Sequence, residues 1–157
     1  MTKEAQSTII SLAVILAVLL QVLFVFADNR DTPNKAVTDF AKAFYKHDKA
    51  LYDRLCNEIT EDEDITAALD EYIYALEKDA SMMGYSTFYL RENLYHVSTH
   101  TLAKEGNTAE IALHAIKKPP IRSFFTHESS EVSEDFTVVN EDGKWKVCGD
   151  ISELVGI

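Results

Sequence analysis

The side chains best suited to chemistry lie in two segments rich in Thr, Tyr, Val and Ile, residues 94–103 and 107–116. They are His96, His100, His114 and Glu110. Between the segments, Lys104-Glu105-Gly106 suits a three-residue hairpin loop with Gly in the left-handed conformation. That loop pairs Ala103 with Asn107, so His96 faces His114 and His100 faces Glu110. Three imidazoles and a carboxylate on one sheet face are donors that suit zinc or iron. The competing reading is a solvated face, with Tyr95, Val97, Ile111 and Leu113 turned to the core. No HxH or HExxH spacing is present, and a one-residue slip separates His114 from the rest. The solvated face is the reading adopted, with the four residues kept as metal candidates.

Other chemistry leaves fewer traces. Glu58 and the run Glu61-Asp62-Glu63-Asp64 lack the alternating ligands and central Gly of a calcium loop. They read instead as acids at a helix start, where the helix dipole favours them. Glu128, Glu131, Glu134 and Asp135 read as a charged strand that discourages pairing with other chains. GxSxG, CxxC, Walker and Rossmann patterns are absent, so no cofactor is expected. The chain carries 15 Lys+Arg against 26 Asp+Glu, a net charge of −11. That balance excludes nucleic acid as a partner, because phosphate backbones require a basic footprint.

Residues 9–27, IISLAVILAVLLQVLFVFA, hold no charge. As a helix, these 19 residues cover about 28 Å, close to a hydrocarbon core. The run divides the chain into a flank (1–8), an anchor or signal segment (9–27) and an exported domain (28–157). Val25 and Ala27 suit cleavage before Asp28, but the run is longer than a usual signal core. Both readings place residues 28–157 outside the cytoplasm, on the periplasmic side. The retained anchor, giving a single-pass membrane protein, is the reading adopted.

Within 28–157, Thr32-Pro33 is a helix start, with Val37, Phe40, Ala41 and Phe44 on one face. Asp48 caps a second short helix carrying Leu51, Leu55 and Ile59. Asp64 caps a third, with a stripe of Leu69, Tyr72, Ile73, Leu76, Ala80 and Met83 ending at Gly84. After Gly84 the pattern becomes strand-like. Residues 136–140 and 144–150 flank Glu141-Asp142-Gly143, a second three-residue loop. Lys117-Lys118-Pro119-Pro120 breaks the sheet, and 121–132 reads as a further strand. The fold class is therefore α+β: an N-terminal transmembrane helix, then three helices packed on a curved antiparallel sheet.

The run Ala36-Val37-Thr38-Asp39-Phe40-Ala41-Lys42-Ala43-Phe44, followed by His47-Asp48, resembles the first helix and turn of the nuclear-transport-factor-2-like superfamily. Asp142-Gly143-Lys144-Trp145-Lys146-Val147 resembles its closing hairpin. The small exported bacterial members are the nearest in outline, over about residues 33–151. The resemblance implies a cone of curved sheet wrapped around helices, often with a pocket. It names no activity, because one fold serves many functions. The expected function is a non-enzymatic, membrane-tethered domain that binds a partner protein or a small apolar ligand, as an accessory subunit of a membrane complex. Self-association into a homo-oligomer is a further expectation. The alternative is a cone-pocket enzyme of the isomerase or dehydratase type, with Asp39, Tyr72, His100 and His127 as candidate acid–base groups.

Two cysteines in an exported chain suggest a bridge between Cys56 and Cys148. In the resembled fold, the second helix and the last strand can be neighbours. Against it, Cys148 alternates with Trp145 and Val147. If those two face the helices, Cys148 points away. Both readings stay open at this level.

Overall fold

The computed structural model describes residues 3–28, 30–119, 121–126, 128–149 and 151. The chain divides into two compact units, Met1–Arg30 and Asp31–Ile157. The first contains helix α1, Lys3–Asp28. No Gly or Pro interrupts it, so an unbroken helix follows from the sequence. Its side chains are described over residues 11–23, about 20 Å of helix. Among the described residues, no helix is long and apolar enough to cross a membrane.

The second unit is α+β. Helix α2, Pro33–Tyr45, begins as its sequence dictates. The Thr32 side chain accepts a hydrogen bond from the Lys35 amide at 3.2 Å, and Pro33 takes the first helical turn. The buried face is Ala36, Val37, Phe40, Ala41 and Phe44, and it lies across all four strands.

The second helix differs from expectation. Asp48 caps it, accepting from the Ala50 amide at 3.0 Å. It is nevertheless only a 3-10 turn, Lys49–Arg54, followed by extended Leu55 and Cys56 and by a single helical turn, α3, Asn57–Thr60. Pairing of Leu55 with Val147 outcompetes continued helix there. Leu51, Leu55 and Ile59 are buried all the same. The long helix α4, Glu63–Met83, is capped by Asp62 and not by Asp64. The Asp62 carboxylate accepts from the amides of Asp64 and Ile65 at 3.0 and 3.1 Å. Gly84 closes α4 at φ 70°, the left-handed position a side chain disfavours. Leu69, Ile73 and Ala80 are buried, but Met83 is 58% exposed and leaves the expected stripe.

A short helix α5, Thr87–Leu90, leads to strand β1, Asn93–Glu105. Strand β2 is Thr108–Lys118, and β3 is Ser130–Glu141. Strand β4, Lys144–Cys148, completes an antiparallel sheet in the order β1-β2-β3-β4. The expected strand over 121–132 is replaced by helix α6, Arg122–Thr126, and strand begins only at Ser130. Both hairpin loops are one residue shorter than expected. Asp142 and Gly143, at φ 52° and 84°, form a two-residue turn between paired Glu141 and Lys144. Two left-handed residues match the strand twist, the I′ pattern that Asp-Gly favours. Gly106-Asn107 likewise closes the first hairpin, with Glu105 opposite Thr108 and Gly106 at φ 56°.

The core lies between α2 and the sheet face formed by Ala109, Ile111, Leu113, Val132, Phe136, Val138, Trp145 and Val147. No polar or charged residue is buried among the described residues. The outer edge of β4 is closed by other segments. The Asp31 carboxylate accepts from the Trp145 amide at 2.6 Å, and the Arg54 guanidinium donates to the Trp145 carbonyl at 3.3 Å. The Cys56 amide donates to the Val147 carbonyl at 2.9 Å. Leu55 and Val147 pair in parallel, so the next residue on each side, Cys56 and Cys148, also fall abreast. They form a disulfide, with Cα atoms 5.4 Å apart. The facing argument against the bridge fails because Cys56 stands beside the strand, not on a helix beneath it.

Burial of tyrosines in this unit gives a pH-dependent outcome. Desolvation, with Glu134 and Glu92 adding, pushes the Tyr45 phenol up to about 12 from 10.0. Desolvation and a hydrogen bond to Asp70 push Tyr52 up to about 12 as well. A raised phenol value means that the unfolded chain ionises first. The stability these rings confer is intact below pH 10.0 and is lost as the pH rises towards 12. Phenolate absorbance followed together with circular dichroism checks this. Ionisation of Tyr45 and Tyr52 is expected to accompany unfolding. Full ionisation of all 7 tyrosines near pH 10.0 with the fold intact would contradict it.

Candidate binding groove

The described acid–base candidates do not share a pocket. Asp39 pairs with Arg54 at 2.7 Å, and Arg54 also holds Asp31 at 2.7 Å. Burial alone would lower the Arg54 value, but hydrogen bonds to both carboxylates outweigh it and raise it. Tyr72 stacks between Phe44 and His47, with ring centroids 4.5 and 4.1 Å away. Burial first, then nearby Tyr45 and Glu92, pushes its phenol well above the ordinary range, so it stays neutral. The His47 Nδ1–H donates to the Tyr72 carbonyl at 2.7 Å. His100 is exposed on β1. His127 lies outside the described residues.

The metal candidates are also placed differently from expectation. With the shorter turn and two bulges, Ser98 and not His96 faces His114, and Glu110 faces Ala103. His96 sits in the first bulge at φ 51°. His100 and His114 do approach, with centroids 6.4 Å apart, and His114 Nδ1 is 3.0 Å from the Ser133 hydroxyl. His96, His100, His114 and Glu110 therefore do not converge. Among the described residues, Cys56, Glu58 and Cys148 are the group whose ligand atoms lie close enough for a metal. Their two sulfurs are bonded to each other, which removes both thiolates as donors.

A different site emerges where α4, α5 and α6 end. Met83, Tyr85, Tyr89, Leu90, Ile121 and Phe125 line a groove of about 540 Å³. Each element contributes for a local reason. Gly84 turns the chain sharply out of α4. The Ser86 hydroxyl then accepts from the Phe88 amide and starts α5, whose single turn carries Tyr89 and Leu90. Pro119 ends β2 and frees Arg122–Thr126 to form α6. Among the described residues, no charged side chain lines the groove. Phe124 and Phe125 are 84% and 81% exposed, and Tyr85, Phe88 and Tyr89 are roughly half exposed. At roughly 200 Å² per ring, these five aromatics together present on the order of 650 Å² to solvent.

The signal for this groove was present but subtle. Residues 80–90, ASMMGYSTFYL, carry no charge in a chain that is 26% charged. Read as the end of a helical stripe, Met83 belongs to the core, and that reading hid it.

A smaller pocket of about 260 Å³ lies between the turn after α2 and helix α4, lined by Lys46, His47, Asp48, Lys49, Ile73, Glu77 and Arg91.

No protein-family model matches the sequence, and no curated protein is similar to it. A solved structure described as an NTF2-like transpeptidase, from Campylobacter jejuni, is similar over 76% of this chain and 100% of that chain. The identity is 14% and the TM-score 0.44, and a likeness this distant carries no argument about what the chain does.

Proposed function

We propose that residues 28–157 form a non-enzymatic domain that binds a small apolar ligand or an apolar segment of a partner protein in the aromatic groove. The domain is of the cone-shaped, nuclear-transport-factor-2-like type, on the resemblance carried by residues 36–48 and 142–147. Residues 9–27 tether it to a membrane with the domain outside the cytoplasm, where it acts as an accessory subunit of a membrane complex. The observation that carries the binding reading is the uncharged lining of Met83, Tyr85, Tyr89, Leu90, Ile121 and Phe125. Small-molecule sites are lined in this way and commonly hold about 300–1,000 Å³. The tether is supported by the uncharged run 9–27 and by the described part of α1, where Leu12, Val14, Ile15, Leu16 and Val18 are exposed around the helix. A helix that is apolar on every side belongs in lipid or in a core.

Two measurements test this reading. Fluorescence titration with a neutral apolar dye should saturate, and Tyr89→Ser with Phe125→Ser should weaken binding at least about tenfold, from the apolar burial lost. Unchanged affinity in the double variant would remove the groove from the account. Intact-mass analysis of the native protein should return a chain that retains residues 9–27. A chain starting at Asp28 would overturn the tether and leave export standing.

A further inference from the structure

We propose that the groove continues into the cationic pocket at Lys46 and Arg91, and that the two together hold an amphiphile with one apolar chain and one carboxylate head. This rests on the groove reading above and adds the class of ligand.

The two pockets adjoin through the chain itself. Leu90 lines the groove and Arg91 lines the cationic pocket, so one peptide step joins them. Helix α4 runs beside both, with Glu77 at the smaller pocket and Met83 at the groove, about 9 Å further along the helix.

The smaller pocket is lined by three cations, Lys46, Lys49 and Arg91, and two carboxylates, Asp48 and Glu77. The Asp48 carboxylate is held by the Ala50 amide. Lys49 donates to the Tyr74 hydroxyl at 2.6 Å and lies 4.7 Å from that ring's centroid. Lys46, Arg91 and Glu77 remain, and among the described residues neither cation has an ion-pair partner. The pocket therefore carries a local positive excess in a chain of net charge −11. The net charge of −11 disfavours anions in general, whereas here one meets two cations without an ion-pair partner among the described residues.

Arg91 offers a planar fork that a carboxylate matches with two parallel hydrogen bonds, and Lys46 adds a point charge. A ligand with only an anionic head would leave the uncharged groove solvated. One with only an apolar chain would leave both cations unused. A long-chain carboxylate satisfies the two pockets together, its head at Arg91 and its chain from Leu90 onward.

The test uses the full-length chain in phosphatidylcholine nanodiscs, whose lipid is zwitterionic. Photoreactive decanoate and decanol, carrying the same diazirine on the chain, are titrated in parallel, and labelled peptides are mapped by mass spectrometry. Both should label residues 83–90 and 121–125. Decanoate should reach half-maximal labelling at about a tenfold lower concentration, the effect of hydrogen bonds to a charged group. Lys46→Gln with Arg91→Gln should abolish that preference while decanol labelling stays as it was, which also shows that the variant is folded. Equal half-maximal concentrations in the native chain, or a preference that survives the double variant, would overturn the carboxylate head and leave the groove standing. Labelling confined to other residues would overturn the groove as well.

Discussion

Loss of the Cys56–Cys148 bridge is expected to lower the unfolding free energy by about 4–5 kcal/mol at 25 °C. The bridge spans 92 residues of sequence, and the chain-entropy cost of closing so long a loop is removed from the unfolded state. It also fastens the extended pair Leu55-Cys56 to the edge of β4, where Val147 is fully buried. Domains of this size are commonly stable by only about 5–15 kcal/mol, so the reduced protein should be marginal. Denaturant titration with and without a dithiol reductant, and of the Cys56→Ala, Cys148→Ala double variant, reads the difference. A lower midpoint in both the reduced chain and the double variant is the expected result. Identical midpoints in oxidised and reduced protein would show that the bridge adds nothing.

The second large effect sits at the centre of the core. Phe40 is fully buried, stacks on Phe44 with centroids 5.8 Å apart, and meets Phe136 edge-on at 5.8 Å. It joins α2 to β3, so truncation opens a cavity between the layers. Phe40→Ala should cost about 3–5 kcal/mol, and Phe40→Leu roughly 1.5 kcal/mol or less, because Leu refills most of the volume. Both follow from the shift in urea midpoint at constant slope. Equal costs for the two variants would show that the ring's volume is not what the core requires.

The parts legible in the sequence are those written locally. Thr32-Pro33, the stripe through Phe44 and Gly84 each declare a helix boundary or face, and the structure bears out all three. The alternation in β2 and β4 marks their buried faces equally well. The misreadings share a cause, which is competition from a distant segment or a turn shorter than assumed. Leu55 is spaced for a helix, but its pairing with Val147 is fixed by a strand 92 residues away. The hairpin register depended on reading Gly106 as the last loop residue, when it is the first of two. Bulges at residues 96–97 and at Leu102 then shifted the histidines further. Such bulges depend on packing of the whole sheet and leave little mark on the local sequence. Beyond the uncharged run 80–90, the groove left little mark on the sequence, because no single element contains it. It forms where the ends of α4, α5 and α6 meet, and α6 lies in a stretch that reads equally well as strand.

Methyl NMR of the methionines in the full-length protein tests the groove as a binding site most directly. There are 3, and Met83 lines the groove while its neighbour Met82 does not. On titration with neutral decanol in nanodiscs, the Met83 methyl should shift furthest and saturate, and Tyr89→Ser with Phe125→Ser should suppress that shift. A Met83 response no larger than that of Met82, or one that persists in the double variant, would contradict the account.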